Sequence, residues 1–383
     1  VFIQAIKTYQ FRNLDDCQIG LKPGFVCLIG DNGQGKTNIV EAISLISFGR
    51  SFRTNDVRDL IRWKCGEASV FADVVSEAEA ATAGRKETKL GVIVKGGTRS
   101  GLVNGTECRS IAELFPLLRC VTFSPTDLSL VTGAPAERRR FLDRHTVDVE
   151  QSLVWGFVEY QRALKSKQAI IKNQEASLNA SMLAPWNSIM AEAGAKIINA
   201  RMRLVSRMEP ILARYSKELF GDESAITVRL RGPSANLVAE RSASASGGVE
   251  IEASDLARQL EEAAEKEITL GRTAAGPHRD DLVPYIFGHD ARSFASQGQS
   301  RSIVLVLKLA MVELIRAACG ESPVVLLDDV DSELDATRRA VIFSAMAHQT
   351  GQVIITATEK RVPDELSHKI SQTLNVSGGT VSE

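Results

Sequence analysis

Residues 30–37 read Gly-Asp-Asn-Gly-Gln-Gly-Lys-Thr and follow directly on a short apolar run, Val26-Cys27-Leu28-Ile29. The string obeys G-x-x-x-x-G-K-[ST] in the setting that gives the pattern meaning, with a buried strand before it and a helix after it. Strand, tight turn and helix in that order commit this part of the chain to an α/β layer ending on a phosphate-binding loop. Backbone N–H groups of Gly33, Gly35, Lys36 and Thr37 can converge on one anion. Glycine at 33 and 35 removes the Cβ that would resist a positive φ. In such loops the lysine, here Lys36, reaches the β- and γ-phosphates, and the hydroxyl, here Thr37, is placed for Mg²⁺. Gly30, Asp31, Asn32 and Gln34 complete the cradle, and the helix from Asn38 to about Phe48 aims its positive end at the same charge. A glycine-rich turn with a chance lysine is the competing reading, and the strand–loop–helix order argues against it.

The rest of the composition limits what surrounds this loop. The chain has 383 residues, enough for two or three domains, with 44% hydrophobic and 24% charged residues, as in an ordinary globular protein. No apolar run reaches the roughly 18 residues that span a bilayer, and residues 1–10 alternate apolar and polar without a signal-peptide core. A cytoplasmic location, with no membrane partner, is the expectation. The six cysteines form no C-x-x-C pair and no zinc spacing, so buried reduced thiols are expected. Forty-six basic against forty-seven acidic residues argue against a chain basic all over, but leave room for a local nucleic-acid patch.

Periodicity divides the chain in three. Residues 1–132 read as strands around the phosphate loop, with strands at 70–75, 90–94 and 119–123. From 133 to 270 helical spacing dominates, with long helices over 138–177 (itself open to interruption) and 186–220, a strand at 225–230 and a helix at 254–270. The small polar run 242–248 is expected to be a mobile loop. Residues 271–383 return to alternation: strand 282–287, apolar helix 301–318, strand 324–327, helix 336–348 and strand 353–356. The helical middle therefore looks inserted into an α/β unit built from both chain ends.

Val324-Val325-Leu326-Leu327-Asp328-Asp329 is an apolar strand ending in two carboxylates, at the end of the strand where α/β sheets bind ligands. Asp328 is placed to hold Mg²⁺ together with Thr37, and Asp329 to polarise an attacking water; an ordinary capping pair is the alternative. Ser332-Glu333-Leu334-Asp335 follows, either as a helix cap or as the turn that shapes a dimer interface in ABC-class ATPases. Ser296-Gln297-Gly298-Gln299-Ser300 precedes the apolar helix. A hydroxyl and free N–H groups at a helix start make an anion site, with Ser296, Gly298 and Gln299 as its members. It is either a plain cap or the half-site that grips the γ-phosphate of ATP held by a second copy.

Together these motifs resemble the ABC-type heads of SMC-like DNA-repair ATPases, and further strings resemble the RecF family. Those strings are Phe11-Arg12-Asn13, Gly49-Arg50-Ser51-Phe52-Arg53-Thr54, Phe123-Ser124-Pro125-Thr126-Asp127-Leu128, the run from Gly133 through Arg138-Arg139-Arg140 to Asp143, and Gly276-Pro277-His278-Arg279-Asp280-Asp281-Leu282. The resemblance implies an α/β fold: an ABC/SMC-like P-loop ATPase head of two lobes with an inserted α-helical arm. It also implies ATP and Mg²⁺ as cofactors, catalytic roles for Asp329, Asp328 and Lys36, and an ATP-dependent homodimer. By resemblance the partners are double-stranded DNA, its junctions with single strands, and the RecO and RecR proteins, in a mediator that directs recombinase loading at gaps. Arg53 is similar to the arginine that follows the first helix of SMC heads and reaches nucleotide phosphates; a DNA-facing role competes. Thr126 departs from the Glu usual in the family.

Compared with ABC transporter subunits, Asp329 replaces a Glu, and Thr356-Ala357-Thr358-Glu359 lacks the switch histidine. Both changes predict slow hydrolysis, with ATP acting as a dimer switch. A transport ATPase subunit and a scaffold with a degenerate site are the competing readings. The missing histidine and the long helical insertion speak against the first, and the intact Lys36, Thr37 and Asp328 against the second. DNA candidates are Arg138-Arg139-Arg140, the set Arg162, Lys165, Lys167 and Lys172, the set Arg201, Arg203 and Arg207, and the pair Arg62/Lys64, each open to the reading of a solvated face. Aromatics are too few, at 5%, and too far from these clusters to form a single-strand stacking platform. His278 with Asp280 and Asp281 reads as a structural turn rather than a metal site.

Overall fold

The computed structural model describes residues 1–76, 87–173, 179–244, 250–329, 336–347, 351–358 and 369–383. They form two compact units, one of residues 1–128, 214–223 and 296–383, the other of residues 129–213 and 224–295.

The first unit is an α/β sandwich closed over one helix. Its mainly parallel sheet has the order β15-β14-β3-β13-β12-β8, and its antiparallel sheet the order β2-β1-β4-β5-β6-β7. The parallel sheet is made of β3 (Phe25–Ile29), β8 (Cys120–Phe123), β12 (Val324–Leu327), β13 (Val353–Ala357), β14 (Ile370–Ser377) and β15 (Thr380–Ser382). Its central strands are unbroken apolar runs because both faces are covered. The antiparallel sheet holds β1 (Phe2–Tyr9), β2 (Cys17–Gly20), β4 (Glu67–Val75), β5 (Glu87–Lys95), β6 (Thr98–Val103) and β7 (Thr106–Glu107).

Between the sheets lies α1 (Lys36–Phe48), with Ile39, Val40, Ala42, Ile43, Leu45 and Ile46 all fully buried. A helix buried along nearly its whole length is stable only when enclosed, and here one core joins Ile6, Val70 and Val92 to Val26, Leu28 and Ile354 around it. Glycines 96 and 97, both at positive φ, make the two-residue turn that joins β5 to β6. The polar, glycine-containing β6 has no strand signature of its own, whereas β14 alternates with period two and is joined to β15 by the two-residue Gly378-Gly379 turn.

The second unit contains α2 (Pro135–Val149), α3 (Val154–Asn173), α4 (Ala184–Phe220) up to residue 213, α5 (Pro233–Ser244) and α6 (Ala253–Leu270). It also holds a three-stranded sheet in which β10 (Asp281–Ile286) pairs with β9 (Ile226–Arg231) and β11 (His289–Asp290). The helix expected over 138–177 breaks at Glu150, whose φ of −125° and ψ of 81° leave the helical region. The expected loop at 242–248 begins inside α5, where Ser242 bonds back to the Val238 carbonyl; residues 245–249 lie outside the described residues. The expected domain boundary at 270 moves to 295, because β10 completes its ladder with β9 rather than with the α/β sheets.

Candidate functional site

The phosphate loop leaves β3 and enters α1 through Gly35, whose φ is +115°. A Cβ there would stand 2.9 Å from Leu14 Cδ2, so only glycine lets the loop close onto the segment after β1. No side chain caps α1: Gly35 is its N-cap, and the first internal bonds are donated by Asn38 and Ile39 to the Gly35 carbonyl. The N–H groups of Lys36 and Thr37 are thus left for an anion, as the loop reading requires. Lys36 donates to the carbonyls of Gly30 and Asp31, the latter at 2.8 Å, which holds its ammonium inside the loop's concavity. Burial lowers its pKa, against the pull of Asp329, Asp328 and Asp31.

Thr37 Oγ1 donates to Asp328 Oδ1 at 2.9 Å across 291 residues of sequence. This contact joins the loop to the acidic strand because β13 alone lies between β3 and β12 in the parallel sheet. Cis ligands of an octahedral Mg²⁺, each about 2.1 Å from the metal, lie roughly 3 Å apart. The hard oxygens of Thr37 and Asp328 therefore match that ion in both kind and spacing. Burial raises the Asp328 pKa, and hydrogen bonds from Thr37 and Thr356 oppose it. Asp329 stands exposed beyond the strand end at φ +52°, with its N–H given to Thr356 Oγ1 at 2.9 Å.

Thr356 is a site residue that pattern reasoning missed. It donates to Asp328 Oδ1 at 3.1 Å and accepts the Asp329 N–H, yet a threonine in an apolar strand carries no functional signal. Gln34, expected in the phosphate cradle, turns elsewhere: its side-chain oxygen accepts from Gly378 N at 2.6 Å and its carbonyl from Gly379 N at 3.0 Å. It pins the loop to the β14–β15 turn. Asn32 and Asp31 are exposed on the loop's outer side.

Residues 296–300 are not a loop before a helix but the first turn of α7 (Gln297–Cys319). Ser296 is the N-cap, with a capping box in which its N–H reaches Gln299 Oε1 at 2.8 Å and its hydroxyl accepts from Gln299 N at 3.2 Å. Ser296 and Gln297 are exposed. Gly298 makes room for Arg338, whose NH2 would lie 3.2 Å from a Cβ at that position. Farther along α7, Lys308 is buried and pairs with Asp127 at 2.6 Å, tying the helix to the loop after β8. The Ser332–Asp335 turn and Glu359 lie outside the described residues.

Most of the basic candidates are structural. Arg138 forks onto Asp281 at 2.7 and 2.8 Å, Arg139 donates to the Asp280 carbonyl, and Arg140 pairs with Glu137. Arg201 is buried between Asp143 and Asp280, Lys167 is buried against Glu267 at 2.6 Å, and Arg203 bridges Glu150 and Glu250. Arg62 donates to the Leu14 carbonyl. What stands exposed is Arg162, Lys165 and Lys172 on α3, Arg207 on α4, and Lys64. The turn at 276–282 is likewise structural. His278 bonds Tyr160 at 2.7 Å and Thr273 at 2.9 Å, while Asp280 and Asp281 take Arg201 and Arg138. Of the six cysteines, all free thiols, only Cys27 and Cys120 are fully buried and the rest are half-buried; burial pushes the Cys27 thiol up to about 11. Among the described residues no helix is long and apolar enough to cross a membrane.

Comparison with known proteins bears on the whole chain. The family described as RecF/RecN/SMC N terminal domain matches residues 2–381. A DNA replication and repair protein RecF from Anaeromyxobacter dehalogenans (strain 2CP-C) is 34% identical over 387 residues, covering 99% of this chain and 98% of its own. One from Heliobacterium modesticaldum is 36% identical over 359 residues, covering 93% and 92%. Among solved structures, the recombination mediator protein RecF-ATP in the RecFOR pathway aligns over 100% of this chain and 97% of its own, at TM-score 0.83 and 27% identity. An Smc head bound to the C-winged helix domain of ScpA aligns at TM-score 0.53 and 15% identity, covering 100% and 96%, a likeness of fold alone.

Proposed function

Since the chain belongs to the RecF/RecN/SMC family and groups there with the RecF proteins, we propose that it is an ATP-dependent, DNA-binding recombination mediator of DNA repair and replication. The observation that carries the reading is the Thr37–Asp328 contact, which assembles a metal-nucleotide site from motifs at opposite ends of the chain. In this reading Gly33, Gly35, Lys36 and Thr37 bind the phosphates of ATP through backbone N–H groups and the Lys36 ammonium. Thr37 and Asp328 would hold Mg²⁺, which would supply charge neutralisation at the phosphates. Asp329 orients the attacking water. Its carboxylate stands on a left-handed residue past the strand end and is one carbon shorter than glutamate, so hydrolysis is slow.

Ser296 and Gly298 at the exposed start of α7 complete the site of a second copy, which makes ATP the glue of a homodimer. Ser296 occupies one N–H of that turn in its own cap and is exposed; in this reading its hydroxyl and the remaining N–H groups of the turn take the γ-phosphate. Duplex DNA and its gap junctions are the substrate surface, RecO and RecR the protein partners, and the cytoplasm the compartment. The test is ATP hydrolysis measured with and without duplex DNA, beside Lys36→Arg. DNA-stimulated turnover that disappears in Lys36→Arg supports the reading; turnover indifferent to DNA but raised by a membrane partner overturns it in favour of a transport subunit.

A further inference from the structure

The antiparallel sheet of the first unit ends on a strand that is only half covered. β7 pairs with β6 at Leu102 and Val103, and Cys108 N donates to the Gly101 carbonyl at 2.8 Å. Before that point, from Thr98 to Gly101, β6 has β5 on one side and, among the described residues, no strand on the other. Alternate residues of an antiparallel strand turn their N–H and C=O groups to the same side. Gly101 turns its carbonyl toward β7, so Arg99, two residues earlier, turns its N–H and C=O to that side too. Neither group has a partner there among the described residues. At roughly 3.4 Å per residue, the run from Thr98 to Gly101 leaves about 13 Å of open edge.

This edge is one wall of a groove of about 1050 Å³. The turn Val57–Leu60, the Gly96-Gly97 turn and residues 107–111 supply the rest, and Arg58, Arg99 and Arg109 line it from three different segments. Arg58 is already held: it forks onto Asp56 at 3.0 and 2.6 Å, and its stem runs beside Gly97, where a Cβ would lie 4.0 Å from Cδ. The guanidinium groups of Arg99 and Arg109 make no hydrogen bond or ion pair among the described residues. Arg99 is half-buried opposite the buried Val94, and burial lowers its pKa with no carboxylate acting against it. A guanidinium partly withdrawn from water without a counter-charge is a destabilising arrangement that a carboxylate ligand would relieve. Glu107, the other acid of the lining, pairs with Leu102 and so stands on the opposite face of the sheet from Arg99.

We propose that the open edge of β6 docks an extended, acidic segment of a partner protein, which adds as a strand beside residues 98–101 and sets its carboxylates against Arg99 and Arg109. Strand addition satisfies the Arg99 backbone groups, and alternate side chains of the added segment fall on the arginine face. Duplex DNA fits this groove less well. Phosphates have no N–H to give the open carbonyl, and Asp56 and Glu107 in the lining repel a continuous run of negative charge. A cation that only keeps other edge strands away is the remaining reading. The docking site lies outside the nucleotide site and shares no residue with it.

The test uses the full chain and three labelled probes. They are a peptide alternating Thr and Glu over about eight residues, its counterpart with Gln for Glu, and the Glu peptide N-methylated at the alternate residues that would face β6. Fluorescence anisotropy with wild type should show the Glu peptide binding at least about tenfold tighter than either control, since one lacks the charge and the other the ladder. Arg99→Gln should weaken the Glu peptide about tenfold while duplex and nucleotide affinities stay within about twofold. Arg109→Gln, at an exposed position, should act in the same direction, and it decides the matter if Arg99→Gln does not fold. Equal binding of the Glu and Gln peptides, undiminished binding of the N-methylated one, or no binding of the Glu peptide to wild type overturns the inference. Duplex binding that falls in Arg99→Gln while peptide binding does not assigns the groove to DNA and overturns it as well.

Discussion

Asp328 and Asp329 are neighbours with the same side chain and opposite surroundings. The first is buried under two threonine hydroxyls; the second is exposed on a left-handed backbone that Asp tolerates better than most residues. Thr356 serves both, so Thr356→Val, nearly isosteric, removes a donor from the buried Asp328 carboxylate and should cost about 1–3 kcal/mol by chemical denaturation. The same variant should weaken Mg²⁺-dependent nucleotide binding, read by titration. A second residue-scale prediction concerns His278, whose pKa burial pushes from 6.5 down to about 3. Below pH 6.5 the unfolded imidazole takes up a proton that the native one refuses until about pH 3. Stability is therefore lost progressively as the pH falls through that window and is unaffected above it. Asp280, raised by burial from 3.8 to about 6, works the other way, gaining a proton in the native state first, but its shift is the smaller. Taken together, the two groups should let denaturation midpoints fall only slightly from pH 7 to pH 4 in wild type and rise over the same range in His278→Asn, where Asp280 acts alone. Asp328 was legible because a carboxylate ending an apolar strand violates the pattern around it. Thr356 was not, since a β-branched residue in a strand satisfies every local rule while its hydroxyl does its work out of sight.

Among the elements, α3 carries the basic residues that the ion-pair network leaves exposed. Lys165 and Lys172 are seven residues apart and so share a face, with Arg162 one turn before Lys165. If this stripe contacts DNA phosphates, replacing all three with glutamine should weaken duplex binding uniformly across sequences and reduce the salt slope of log K by about 2–3. Fluorescence anisotropy over a salt series measures it; an unchanged slope removes α3 from the interface. The strands with apolar runs and the long helices were legible from periodicity, and the departures have local causes. β6 is glycine-containing and polar, so its pairing comes from the Gly96-Gly97 turn rather than from its own composition. The capping box moved the start of α7 ahead of its apolar stripe to Gln297, since Ser and Gln there serve the helix end rather than its buried face. The charge runs misled for the opposite reason. A sequence displays arginines without their partners, and Arg138 and Arg201 find theirs more than fifty residues away, on Asp281, Asp143 and Asp280.

For the molecule as a whole, the phosphate loop and the Ser296 turn belong to one unit, and the dimer proposed above pairs one with the other across two copies. Ser296→Arg should abolish ATP-dependent dimerisation by light scattering while nucleotide affinity stays within about twofold, because the substitution fills the second half-site and leaves the loop untouched. A Ser296→Arg protein that still dimerises with ATP rules out this pairing. The fold class was legible because motifs at both ends of the chain belong to one sheet; the strand order that joins them was not, because parallel neighbours need no proximity in sequence. That separation has a consequence for how the protein is made. The Thr37–Asp328 contact spans 291 residues, which at the ~5–20 residues per second of translation is a delay of about 15 to 60 seconds. During that delay the apolar residues of α1 have no second sheet to cover them. Residues 129–213 and 224–295 have all emerged before β12 and β13 exist, so the arm is ready to fold while the head still waits. A ribosome stalled before residue 353 would carry the second unit entire and a first unit still short of the strand that joins β3 to β12.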